Sequence, residues 1–569
     1  MSATPSLVIR NGLILDGTGA APREADIAIA GERILAIGRI PDRGAEEIDA
    51  RGLIVTPGFV DPHTHYDAQV TWSEEITPSS ALGVTTVLIG NCGVGFAPCA
   101  PENRARLVEL MEGVEDIPEP VLTEGLPWNW TSFPDYLDSL AARRFDLDVA
   151  TQVPHAALRV HVMGSRAVAR EPATAADSAE MARLAAEGIV AGALGFSTSR
   201  TLNHRTLAGE SIPTLTAEEA ELATIAAAVG ATGRGWLQVI SDFGAELESE
   251  FALLRRLAAG SGRPLTMTIL ERDSKPAEWR VLLDKIAAAN AEGLAMTGQV
   301  LSRPTGVLLG FELSQHPFVD CPSFRPLAAL SFPRRLAALR DPALRAQLLS
   351  ELAQQEQSFR LRHWDRIFPL GDPPEYEPPV ERSIGAEARR LGMDPAALAY
   401  DRMTAAEGPT ILYRPLSNYA AGNLDTVRAM LAHPNTLLGL GDGGAHVGVL
   451  CDASAPTFAI THWTRDRASG RFPLEWMIRR LTRDNARAIG LHDRGTLAPG
   501  LRADLNLIDY DRLRIHAPRV VYDLPAGGRR LMQGADGYRA TIVAGAVVRR
   551  DGVATGARPG RLVRGSRGA

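Results

Sequence analysis

The 569-residue chain is predicted to be an α/β protein: a (β/α)8 barrel, a small β-sandwich built from both chain ends, and a helical insertion before the last barrel strand. Three observations carry this expectation. Short apolar strands alternate with Ala-, Leu- and Glu-rich helical stretches through the middle of the chain, which implies parallel strands joined by helices, and eight of them close a barrel. Glycine-turn hairpins occupy both ends, and a closed barrel returns its end to its start, so the two sets can meet. The stretch from about residue 310 to 413 exceeds any ordinary loop.

Residues 1–57 supply the first part of the sandwich. Strands are expected at 7–10, 13–16, 26–29 and 34–37, with Asn11-Gly12 and Gly31-Glu32 as turns. The barrel is assigned to 58–491. The apolar run 53–55 leads as a buried strand into Gly58-Phe-Val-Asp-Pro-His-Thr-His65, and later strands are expected at 85–89, 147–152, 193–196, 237–240, 265–269, 295–300 and 437–440. Helical spacing marks 217–228 and 249–259 between them. The insertion, about 310–413, is rich in Arg, Pro and Leu, with helical character over 341–360, and reads as a lid or an oligomer contact. Residues 492–569 complete the sandwich with strands at 503–508, 540–543 and 547–549, and end in a tail. Arg558, Arg561, Arg564 and Arg567 make that tail basic and are expected to be solvated.

With 45% hydrophobic residues the chain buries a large core. A net charge of -7 provides no general attraction to nucleic acid or anionic membrane. No apolar stretch is long enough to span a bilayer, and residues 1–10 lack the apolar centre of a signal peptide. Four cysteines, Cys92, Cys99, Cys321 and Cys451, are too few for a disulfide framework. A cytoplasmic protein acting on a small molecule, with homo-oligomerisation left open, is the expectation.

Barrel enzymes carry reacting groups at the C-terminal ends of their strands. Reading those ends gives Asp61, His63, His65, Cys92, His155, residues 197–200, Asp242, Glu271, Arg272, Arg303, Asp442 and His446. His63 and His65 are one residue apart, so on a strand both face one way and can share a metal ion. Cys92 lies between glycines after the second strand. A free cysteine usually packs as a small hydrophobe, but a thiolate there is a strong zinc ligand. Asp442, in Gly-Asp-Gly-Gly-Ala-His446, is by itself a turn residue. Beside the histidine pair it is the candidate general base and fourth ligand.

Pro57-Gly-Phe-Val-Asp-Pro-His-Thr-His65, Gly83-Val-Thr-Thr-Val-Leu-Ile-Gly-Asn-Cys-Gly93, Gly192-Ala-Leu-Gly-Phe-Ser-Thr198, Gly441-Asp-Gly-Gly-Ala-His446 and Gly495-Thr-Leu-Ala-Pro-Gly-Leu-Arg-Ala-Asp504 resemble the amidohydrolase superfamily. The cysteine after the second strand resembles its N-acyl-D-amino-acid deacylase (D-aminoacylase) branch. The resemblance implies a barrel with a β-sandwich and zinc-dependent hydrolysis of an amide on a D-amino acid. It also implies His63, His65 and Cys92 as metal ligands and Asp442 as the catalytic aspartate. The chain departs from the pattern at the fifth and sixth strands, where the branch has metal-binding histidines and this sequence has none. One zinc ion is therefore favoured over two, with Asp242 or Glu271 as conceivable oxygen ligands. Arg303 is the candidate partner of a substrate carboxylate, with Arg205 and Arg200 as alternatives, and His155 or His446 would lie against the oxyanion. A cyclic-amide hydrolase and a degenerate, ligand-binding barrel are the competing readings. No lysine ends an early strand to bridge two metals, and the intact His63, His65, Cys92 and Asp442 set argues against decay.

Overall fold

The computed structural model describes residues 4–355, 363–405 and 410–565. Eight parallel strands form its centre. In chain order they are Phe59–Asp61, Val84–Ile89, Asp148–Thr151 continuing past Gln152 into Val153–Pro154, Gly195–Arg200, Trp236–Ser241, Leu265–Thr268, Met296–Val300 and Thr436–Leu438. Strands one to three form one ladder, and the end of strand three through strand eight forms another. Asn485 bridges the first and last strands, its Nδ2 donating to Val60 O at 2.9 Å and Leu438 O at 2.7 Å. Nearly every strand residue is buried, as expected where helices cover the outside and side chains fill the inside. Among the helices, Glu219–Ala231 and Leu247–Ser261 lie where the sequence places them.

Both chain ends join one nine-stranded sheet. Here the apolar run before the histidines has a different role from the expected one. Ile54–Pro57 pairs with Leu13–Ile14 on one side and Leu505–Ile508 on the other, and the first barrel strand starts only at Phe59. Gly58 separates the two, because a Cβ there would lie 2.1 Å from Thr85 Oγ1. Asn11-Gly12 is likewise not a turn. Leu7–Ile14 is one strand carrying a bulge, with Asn11 at φ 57° and its N–H donated to Asp26.

Between strands seven and eight, Thr305–Leu309, Phe368–Pro369 and Leu412–Ser417 form a small antiparallel sheet. Four helices, Phe332–Leu339, Pro342–Gln354, Ile384–Leu391 and Pro395–Met403, pack with it. They enclose an apolar cluster of their own around Phe311, Phe318, Tyr400 and Leu412. The end of the expected 341–360 helix falls outside the described residues. All four cysteines are buried. No described helix is long and apolar enough to cross a membrane.

The C-terminal tail is not a solvated strand of arginines. Val149 N donates to Arg561 O, Val563 N to Val149 O, and Gly565 N to Gly192 O, so the tail fills the gap between the lower halves of strands three and four. Arg558 pairs with Glu75, Arg561 with Glu32 and Arg564 with Asp138; Arg567 lies outside the described residues. At this end of the barrel Asp148 accepts from Arg494 at 2.6 Å, Arg502 at 3.0 Å and the Arg561 N–H at 3.0 Å. Arg502 also lies 3.3 Å from Asp504. Removing one partner from a buried ionic cluster strands the others. Arg494→Met is therefore expected to destabilise the protein by about 3 kcal/mol, read from urea unfolding.

Candidate metal centre

The side chains expected at the barrel mouth are placed by three loops. His63 and His65 lie just past the first strand, beyond Pro62, with the His63 N–H donated to Asp61 Oδ1 at 3.1 Å. The loop after the last strand is hydrogen-bonded to this one: Asp442 N donates to His63 O at 3.1 Å and His65 N to Gly443 O at 2.8 Å. That pairing sets Asp442 beside both imidazoles. Cys92 sits in a single tight turn after strand two, at φ 55° between Gly90 and Gly93, both also at positive φ. Only glycine fits on either side: a Cβ would lie 2.4 Å from Gln152 O at Gly90 and 2.9 Å from Thr198 Cα at Gly93. The turn is held from the fifth strand, where Gln238 Oε1 accepts the Cys92 N–H at 2.8 Å.

One ligand atom from each of His63, His65 and Cys92 falls within 4.8 Å of the others. Cys92 Sγ is 3.2 Å from His63 Nε2. On the far side of that ring, Nδ1 meets Gln299 Oε1 at 2.6 Å. An amide oxygen only accepts, so Nδ1 carries the proton and the Nε2 lone pair faces Cys92. Asp442 Oδ1 lies 3.5 Å from His63 Nε2 and 3.8 Å from His65 Nε2, with no hydrogen-bond partner among the described residues. Glu115, at the end of helix Arg104–Glu115, brings Oε1 to 3.3 Å from His65 Nδ1.

The charge balance shows what is missing from this group. Burial pushes the Asp61 carboxyl up to about 7 and that of Asp67 to about 8, and lifts Glu115 well above the carboxylate range. Burial also raises Asp442 to about 6, with Asp452 adding to the effect and His446 opposing it. The Cys92 thiol is raised by burial and then by Asp442, Glu115 and Asp67. These groups act on one another, and neither a lysine nor an arginine is prominent among the charges around them. Burial lowers His63 to about 4 and also holds His65 well below the ordinary imidazole value, which favours neutral rings free to donate lone pairs. Neutral imidazoles, a thiol, and acids with no counter-charge are the donor set that a divalent cation satisfies, and a coordinated thiol loses its proton outright. The residues fit zinc.

Other sequence candidates go elsewhere. His446 does reach the site, its Nε2 3.8 Å from Glu115 Oε2, while its loop is pinned by Gly448 N donating to Asp116. His155 does not: it is fully buried, with Nδ1 on Thr198 Oγ1 and Nε2 on Glu221 Oε1, both at 2.8 Å, and Arg159 backs Glu221. Arg205 is exposed and donates to Leu202 O and Gly209 O; Arg200 grips Glu250 through two bonds. Arg303 is buried in a salt bridge with Asp452. Asp242 accepts from Thr201 and Leu202 N, and Glu271 from Thr426 and Ala420 N, so both are structural and neither is an oxygen ligand. Arg272 pairs with Glu278 instead of Glu271.

Five contributors escape a search of titratable groups at strand ends. Gln238 and Gln299 lie within strands, Glu115 ends a helix, and Asp67 follows the histidine pair. His204, held at 2.9 Å by Ser199 Oγ, is lowered to about 4 by burial and by His446.

A family model described as "Amidohydrolase family" matches residues 46–549. D-aminoacylase of Alcaligenes xylosoxydans xylosoxydans is 37% identical over 193 residues, covering 34% of this chain and 37% of that protein. N-acyl-D-glutamate deacylase of the same organism is 29% identical over 535 residues, covering 91% of this chain and 90% of that one. The crystal structure of N-acyl-D-glutamate deacylase from Bordetella bronchiseptica, complexed with zinc and a phosphonate mimic of the tetrahedral intermediate, has a TM-score of 0.66 at 25% identity, covering 99% of this chain and 100% of that one. The barrel, the buried histidine pair with its cysteine, and these matches agree: the chain belongs to the amidohydrolase family, on its D-aminoacylase branch.

Proposed function

We propose that this protein hydrolyses a linear N-acyl amide of the N-acyl-D-amino-acid type, using one zinc ion held by His63, His65, Cys92 and Asp442. The observation that carries the proposal is the convergence of two imidazoles and a thiol within 4.8 Å, beside a carboxylate oxygen that has no hydrogen bond among the described residues. When bound, zinc would polarise the scissile carbonyl and lower the pKa of a water to about 7. Asp442 takes the proton of the attacking water on Oδ1 and delivers it to the departing nitrogen. Its side chain is 20% exposed, open enough to meet substrate, while His63 and His65 are almost fully enclosed. Gln299 fixes the His63 tautomer through its outer nitrogen, and Glu115 lies 3.3 Å from His65 Nδ1. His446, 29% exposed, lies on the open side, where an oxyanion would form. Strands five and six offer Gln238 and Thr268 where a second ion would need histidine, which supports a single-metal site.

The same proposal assigns residues 1–57 and 492–569 to a β-sandwich and 58–491 to the barrel, with about 310–413 as its insertion. The separate apolar clusters of the end sheet and the insertion support that division.

Asp442→Asn is expected to keep zinc and lose turnover by about 10²- to 10⁴-fold, checked by metal analysis alongside a hydrolysis assay. Near-normal turnover would remove Asp442 as the base. Cys92→Ala should lower the content from one zinc per chain, whereas a purely packing thiol would leave it unchanged. Glu115→Ala should weaken zinc binding by about 10- to 100-fold in a chelator competition. Glu115→Gln, which keeps an acceptor for His65 Nδ1, should restore most of it.

A further inference from the structure

Asn91 immediately precedes Cys92, and its side chain joins the two segments that carry the metal ligands. Nδ2 donates to Leu88 O at 2.8 Å and to Thr64 O at 3.1 Å. Thr64 stands between His63 and His65, so the second bond ends on the backbone that links the two imidazoles. Thr64 is itself tied to strand two, its N and Oγ1 donating to Leu88 O at 3.1 and 2.9 Å. On the other side, Asn91 Oδ1 accepts from Gln152 Nε2 at 2.8 Å, and Gln152 Oε1 accepts from Trp236 Nε1 at 2.6 Å. All four side chains are buried. An indole N–H only donates and a backbone carbonyl only accepts, so the direction of this chain of bonds is fixed at both ends. Turning either carboxamide over would set like groups against each other in a dry interior, where an unmade bond is costly.

We propose that Asn91 is a positioning residue that sets the spacing between Cys92 and the histidine pair, and with it the affinity and geometry with which one divalent ion is held. The proposal rests on the reading in which His63, His65 and Cys92 share that ion. The Cys92 turn is fastened to strands four and five by Gly93 N donating to Ser197 Oγ at 2.9 Å and by Cys92 N donating to Gln238. Asn91 fastens the same turn to the histidine segment. Metal–ligand distances tolerate only about 0.2 Å, so a turn free to shift against the histidines binds its ion less well. A carboxamide makes this link without adding charge to the buried acids nearby.

Metal binding by the full chain tests the proposal, with zinc followed by chelator competition and cobalt(II) by its thiolate charge-transfer and d–d absorption. Asn91→Ala is expected to weaken zinc by at least about tenfold and to change the cobalt spectrum. A side chain that serves stability alone would lower the urea midpoint and leave the affinity and spectrum of the folded protein unchanged, and that result overturns the proposal. Gln152→Met is an independent arm should the first variant not fold. It removes the group that aims the Asn91 amide, and should weaken zinc in the same direction by a smaller factor; unchanged affinity and spectrum overturn the proposal here too. A cobalt-loaded unaltered protein without a thiolate band overturns the proposal together with the shared-ion reading. Failure of the hydrolase reading alone has a different signature, in which the thiolate band and its change in Asn91→Ala are present but no N-acyl-D-amino acid is cleaved.

Discussion

Uncompensated negative charge at the barrel mouth is the constraint on which the rest of the structure depends. Asp61, Asp67, Glu115, Asp442 and the Cys92 thiol are enclosed together, and each is driven toward its neutral form by burial. Burying one carboxylate without a partner is costly, and burying several beside a thiol is more so. A divalent cation resolves all of them at once. The surrounding framework is made accordingly. Gln238 and Gln299 brace Cys92 and His63 through amide groups, which fix geometry without adding charge of either sign. Two loops from opposite ends of the barrel sequence, those carrying His63 and Asp442, are tied backbone to backbone, which fixes Asp442 beside the imidazoles.

The opposite end of the barrel solves a related problem differently. Asp148 is as buried as the mouth acids, but arginines from the C-terminal segment surround it. Inside one barrel, Asp148 at the base is paired with guanidinium groups, while Asp61, Asp67, Glu115 and Asp442 at the mouth have no such partner among the described residues.

Much of this was legible in the sequence. Seven of the eight barrel strands lie at or within a few residues of their expected positions, because strands buried on both faces read as short apolar runs between helical stretches. His63, His65, Cys92 and Asp442 converge as a strand-end reading implies. What was hidden depends on distance in sequence. Glu115 approaches His65 from the end of a helix, and nothing in its local pattern sets it apart from the neighbouring Glu109 and Glu112. Gln238 and Gln299 are uncharged and lie within strands, so a search for titratable groups passes over them. Arg303 occupied the expected place but not the expected state, since its partner Asp452 lies 149 residues away in the chain. The apolar run before the histidines misled because Gly58, a single residue, divides the end sheet from the barrel.

The tail that threads between strands three and four bears on how the chain acquires its shape. A barrel of this kind is usually pictured as closing when its eighth strand meets its first. Here the seam beside the third strand also needs residues 560–565, which supply backbone partners to Phe145, Val149 and Gly192. Synthesis proceeds from the N-terminus, so the earliest-made part of the barrel waits longest for its last contact. A chain lacking residues 560–565 would expose the backbone of the third strand as an unpaired edge.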